Sequence, residues 1–114
     1  MIISKENIIK EIKKNMRGGD GEVTLYHLVP QDKLLHSRLM AKILIPKGAS
    51  IGEHEHIKET EYYIILKGKG IVTDNGQNLE VKEGDIVITG NGGKHSIKNI
   101  GEEDLEMIAI IILE

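Results

Sequence analysis

The segment GASIGEHEHIKETEYYIILKG, Gly48 to Gly68, places His54 and His56 one residue apart and Glu61 five positions after the second histidine. In an extended chain alternate residues point the same way, so these two imidazoles would stand about 7 Å apart on one side. That spacing suits two ligands of one metal ion. Glu61 regains the same face only after a turn through Ile57 to Thr60, and His95, in the later stretch GNGGKHSIKN, must come from another strand. By itself a His-x-His pair is more often solvated or hydrogen-bonded than metal-bound. The chain has no cysteine, which excludes disulfides, thiolate nucleophiles and thiolate-held zinc, so any metal must rest on imidazole and carboxylate.

The elements that must position these residues are legible from composition and pattern. A chain of 114 residues fits one domain with a single core. With no Phe or Trp and only three Tyr, that core is aliphatic. The first fifteen residues or so suggest a helix, with Ser4 as N-cap and Ile8, Ile9 and Ile12 on one face, although Met1 to Ile3 fit a strand equally well. Residues 1–22 read as an N-terminal arm that packs on its own barrel or on a dimer partner, and 23–114 as the barrel domain. From Val23 onward short β-branched runs are broken by glycine at PKG, KGKG, DNGQN, KEGD and GNGG, as antiparallel strands require. Asn75-Gly76 is the strongest hairpin signal. The class is all-β, a sandwich or barrel.

Strand parity then sorts inward from outward residues. Leu39, Ala41, Ile43 and Ile45 share one face and turn Arg38 outward; Glu61, Tyr63 and Ile65 share another, as do His95 with Ile97 and Met107 with Ala109 and Ile111. Ile108, Ile110 and Ile112 make the last strand apolar on its outer face too, so the N-terminal segment or a second subunit should cover it.

The charge of -3 is spread without blocks of one sign, which argues against nucleic acid as a partner. The apolar run from Met107 to Leu113 is too short to span a membrane, and the N-terminus lacks the apolar region of a signal peptide, so a soluble cytoplasmic protein is expected.

The spacing Gly48, His54, His56, Glu61, Gly68 and the second series Gly84, Gly90, Gly92, His95, Asn99 resemble the two signature motifs of the cupin superfamily, G-x5-HxH-x(3-4)-E-x6-G and G-x5-PxG-x2-H-x3-N. One fixed position departs: Gly90 stands where the motif has proline, which frees the backbone just before His95. The resemblance runs from about Arg38 to the end, and RGGDGEVTLYHL and DNGQNLEVKEGD look like stretches of small single-domain bacterial cupins. It implies a double-stranded β-helix, a jelly-roll barrel of two facing antiparallel sheets, usually a homodimer. It also implies that His54, His56, Glu61 and His95 ligate a divalent transition metal, Mn or Fe favoured over Zn, Ni or Co, with two coordination positions open for a small oxygen-bearing ligand such as a carboxylate.

Tyr63, inward beside Glu61, is the candidate catalytic residue and equally fits a core tyrosine. His27 and His36 read as surface or interface residues, Glu53, Glu55 and Glu59 as solvated, and Arg17 as a mobile residue that could approach its own pocket or a partner's. The expected pocket walls are Ala41, Ile43, Tyr63, Ile65, Ile97, Met107 and Ala109, mostly aliphatic. With Arg38 outward, no cation stands beside the metal for an oxalate-decarboxylase-like reaction, whereas a dioxygenase-like one needs only iron and open positions. An enzyme of unassigned reaction is expected, with a non-catalytic metal-dependent binding module as the alternative.

Overall fold

Where the N-terminal spacing predicts a helix, the chain pairs as a strand. A computed structural model, which describes residues 1–114, places β1 (Ile9–Lys14) antiparallel to β2 (Glu22–His27), with Ile12 opposite Thr24. Only a single 3-10 turn, Lys5–Asn7, is helical ahead of it. Pairing of the whole segment to β2 overrides a weak local helix preference, and the lysines of β1 suit an edge strand because they discourage pairing with another chain.

Eight further strands follow: β3 (Ser37–Ile45), β4 (Ser50–Glu55), β5 (Glu59–Lys67), β6 (Lys69–Asp74), β7 (Gln77–Lys82), β8 (Ile86–Gly90), β9 (Lys94–Asn99) and β10 (Leu105–Leu113). They form two facing antiparallel sheets, one in the order β1-β2-β3-β10-β5-β8 and the other β4-β9-β6-β7. The β6–β7 hairpin turns at Asn75 and Gly76, whose φ angles of 49° and 84° are the positive values expected of a two-residue turn.

The core between the sheets is aliphatic, as expected. Ala41, Ile43, Ile45, Ile65, Ile97, Met107 and Ala109 are buried on the inward faces, joined by Val23 and Leu25 from β2. On the opposite side of the six-stranded sheet, Ile108 and Ile110 of β10 are half-buried, flanked by Met40 and Lys42 of β3 and by Tyr62 and Ile64 of β5. The N-terminal segment lies at the sheet edge rather than over this face. No helix is long and apolar enough to cross a membrane.

Two irregularities interrupt the alternation, and both re-aim functional side chains. On β4, Ile51 pairs with Ile97 and His54 with His95, so Gly52 and Glu53 together oppose the single residue Ser96. Strict alternation would put Ile51 and His54 on opposite faces; the bulge turns both inward. On β3, Leu39 pairs with Ile111 and Ser37 with Ile112, which leaves Arg38 as the extra residue of a second bulge.

Candidate metal centre

The two sheets bring His54, His56, Glu61 and His95 together, with one donor atom from each within 4.8 Å of the others. Glu61 comes from β5 and His95 from β9, while His56 lies just beyond β4. There a reciprocal backbone pair, His56 N to Gly93 O and Gly92 N to His56 O, locks it to the loop before His95. The loop containing Gly90 is therefore held despite the missing proline. Gly90 also packs on Thr60 so closely that a Cβ there would overlap the hydroxyl.

Each imidazole is held at its far nitrogen. His54 Nδ1 donates to the Gly52 carbonyl at 2.7 Å, His56 Nδ1 donates to Glu59 Oε2 at 2.5 Å, and His95 Nδ1 meets Thr89 Oγ1 at 2.8 Å. A carbonyl and a carboxylate only accept, so His54 and His56 carry their protons on Nδ1 and present Nε2 lone pairs inward; the Thr89 hydroxyl can accept from His95 in the same way. This is the support that metal-binding histidines receive in proteins generally. His95 Nε2 stands 3.0 Å from His56 Nε2, 2.9 Å from His54 Nε2 and 2.9 Å from Glu61 Oε1, while His56 Nε2 is 2.9 Å from the same oxygen. The three rings stand edge to face, at 68° to 89° to one another.

Four converging acceptors repel one another unless a proton or cation lies among them, so the donor set fits a metal. Ligands about 2.1 Å from a common centre and at right angles stand about 3.0 Å apart, whereas tetrahedral ligands stand about 3.4 Å apart. Four separations of 2.9 to 3.0 Å match the right-angled arrangement, with His54 to Glu61 longer at 3.5 Å. Burial opposes ionisation of Glu61, yet the three histidines together hold its carboxyl far below the usual range. Burial pulls His95 below the ordinary imidazole value; it also disfavours charge on His56, but Glu61 and Glu59 outweigh it and raise that residue.

Two residues that the sequence placed in solvent belong to this centre. Glu59 is only 8% exposed, and besides His56 it takes two hydrogen bonds from Arg38, Nε to Oε1 and Nη2 to Oε2, both 2.7 Å. The Arg38 guanidinium holds the Glu59 carboxyl down at about 2, against the opposing effect of burial. The bulge explains the failed parity of Arg38. For Glu59 the signal was available, since it shares strand parity with Glu61.

A cavity of about 550 Å³ opens onto Glu61 and Tyr63. Of the expected walls only Ile43 and Tyr63 line it; Ala41, Ile65, Ile97, Met107 and Ala109 are sealed in the core. The remaining lining is not mostly aliphatic, because Lys13, Lys14, Arg17 and Arg38 contribute to it. His27, expected at a surface, faces the same space and pairs with Glu11 at 2.9 Å. Tyr63 is buried and stacks on His95 with ring centroids 4.7 Å apart. Burial raises its phenol well above the ordinary value, and the Glu61 charge adds to this, so it keeps its proton at neutral pH.

A jelly-roll barrel carrying three histidines and a glutamate at these positions is a cupin, and the chain belongs to that family: the cupin domain profile matches residues 41–111. Among its relatives, an "oxalate-binding protein" of Thermotoga maritima is 43% identical over 114 residues, covering 99% of this chain and 94% of that one. A crystal structure of a "predicted oxalate decarboxylase" from Thermotoga maritima covers 100% of both chains with a TM-score of 0.94 and 43% identity. The cupin domain of Schizosaccharomyces pombe Cnp3 matches with a TM-score of 0.74 at 20% identity, over 91% of this chain and 69% of that one, a likeness of fold alone.

Proposed function

We propose that this cupin holds one divalent transition metal, Mn or Fe, on His54, His56, Glu61 and His95, and through it binds a small carboxylate of the oxalate class. The observation that carries this reading is the meeting of two features: four converging acceptors, and a cavity that reaches one of them, Glu61, and is lined by Lys13, Lys14, Arg17 and Arg38 together with Glu11. The right-angled separations favour a six-coordinate ion over tetrahedral zinc. The oxalate-related names given to the Thermotoga maritima relative and to the Thermotoga maritima crystal structure of the same 43% identity support the ligand class.

When bound, the ion supplies Lewis-acid coordination for the carboxylate oxygens. The chain does the rest. Gly52, Glu59 and Thr89 fix the three rings, Glu61 contributes a charge that stays ionised, and the cavity cations offset the ligand's negative charge. A second copy of the chain is the natural cover for the apolar outer face around Ile108 and Ile110.

A second reading, that the protein turns oxalate over to formate and carbon dioxide, draws on one residue. Tyr63 is the phenol in the cavity lining, and its hydroxyl carries a proton of the kind that such a reaction consumes at carbon.

The test begins with elemental analysis of untagged protein beside His54→Ala/His56→Ala, followed by calorimetric titration of oxalate into loaded and metal-stripped samples. About one Mn or Fe per chain, absent from the variant, with oxalate bound only by the loaded protein, is the expected result. Equal metal in both proteins would remove the basis of the proposal. Formate released by the loaded protein and abolished in Tyr63→Phe would establish catalysis; oxalate bound but unchanged would leave a binding module.

A further inference from the structure

The turn that carries Arg17 is pinned rather than mobile. Asn15 and Arg17 adopt left-handed backbone angles, φ 51° and 55°, uncommon for residues with a Cβ. Asn15 N donates to Gly21 O and its side chain to Gly19 O. The next residues are tied to β4, because Asp20 N donates to Ser50 Oγ and Ser50 N to Asp20 O. Between these ties Gly19 lies backbone to backbone on Ser50 and Gly52, and a Cβ on Gly52 would overlap the Arg17 carbonyl. Only glycine permits such an approach.

Gly52 is also the residue whose carbonyl orients His54. One glycine thus supports a metal-facing imidazole on one side and the Arg17 backbone on the other, which fixes Arg17 relative to the metal centre. Its side chain lines the cavity with Glu61 and Tyr63. Of the cations lining the cavity, Arg38 commits its guanidinium to Glu59, whereas Lys13, Lys14 and Arg17 are in no ion pair, and of these three only Arg17 offers a planar fork of donors. A planar guanidinium without a partner, carried on a pinned backbone beside a cavity that reaches Glu61, is a ready donor to both oxygens of a carboxylate.

We propose that Arg17 is the specificity-determining residue of the cavity, taking the carboxylate oxygens that the metal leaves free and so selecting dianionic over monoanionic ligands. This rests on the carboxylate reading above. The metal would take one carboxylate; a second cation, carried on a backbone held in place, rewards only a ligand that carries another.

The experiment titrates oxalate and acetate separately into Mn-loaded wild type, Arg17→Gln, Arg17→Lys and Lys98→Gln, with Mn affinity and melting temperature measured for each. Lys98 is exposed and controls for net charge. Arg17→Gln is expected to weaken oxalate about tenfold or more and acetate less than about twofold, with Mn affinity and melting unchanged. Arg17→Lys should recover part of the oxalate affinity, since it restores charge without the fork. Equal weakening of both ligands, no weakening of either, or the same loss in Lys98→Gln would overturn the assignment. Wild-type protein that binds Mn but neither carboxylate would overturn the reading of the cavity itself, and this inference with it.

Discussion

His95, in the buried cluster, and Arg17, in the lining of the cavity that reaches Glu61, stand under contrasting conditions. His95 is fully buried, with its Nδ1 on Thr89 and its Nε2 among the other ligands, whereas Arg17 is exposed and its charge is unpaired. The deep region is ordered before anything binds, because bulges, backbone pairs and the Glu59 and Thr89 contacts leave the rings little freedom. The mouth is ordered in its backbone only. On the proposed reading, such a division would let the metal be held by geometry and the ligand be chosen by charge.

The strongest way to break that comparison is to remove deep ligands. His54→Ala/His56→Ala should lower bound metal from about one ion per chain to none while the circular dichroism of the apo barrel is retained, because neither imidazole is part of the apolar core. An unfolded variant would make the metal a structural staple instead. Next in size, Glu59→Gln leaves all four ligands in place but replaces the carboxylate on His56 Nδ1 and frees Arg38. Loss of such a supporting contact typically costs 10–100-fold in metal affinity, and competition with a chelating dye would measure it. An unchanged affinity would mean that the His56 orientation needs no help from Glu59.

A smaller effect sharpens the other side. Raising salt from about 0.05 to 0.5 M should weaken oxalate binding several-fold and metal binding much less, since cations near the surface are screened and buried groups are not. Parallel losses for metal and oxalate would erase the distinction between the two regions.

Sequence pattern carried the centre of the molecule well and its edges poorly. The meeting of His54, His56, Glu61 and His95 was readable because motif spacing and strand parity agree there, and the Asn75-Gly76 turn because positive φ restricts residue choice so strongly. Arg38 was misplaced because a bulge shifts parity without leaving a mark in the one sequence. Glu59 was misread although it shares strand parity with Glu61, because the turn after His56 hid that β5 already begins at Glu59. β1 failed for another reason, since Ile8, Ile9 and Ile12 fit a helical face and the partner strand that decides the matter begins several residues later. The cationic lining followed from these errors, because it is assembled from β1, its following turn and the bulged residue.

The smallest expected effect concerns the link between the regions, the Arg38–Glu59 pair, and it is read through pH. Glu59 has its carboxyl depressed in the folded chain from 4.5 to about 2. A depressed carboxyl binds fewer protons when folded than when unfolded, so its contribution is fully present above the unfolded value and is lost as pH falls from 4.5 towards 2. Metal-free wild type should therefore lose melting temperature across that interval faster than Glu59→Gln, whose amide does not titrate there. The difference between the two curves should be flat above pH 6, where Glu59 is ionised in both states. Curves that fall in parallel below pH 4.5 would mean that Arg38 and Glu59 are neighbours without coupling, and would leave the metal centre and the charged mouth as independent parts.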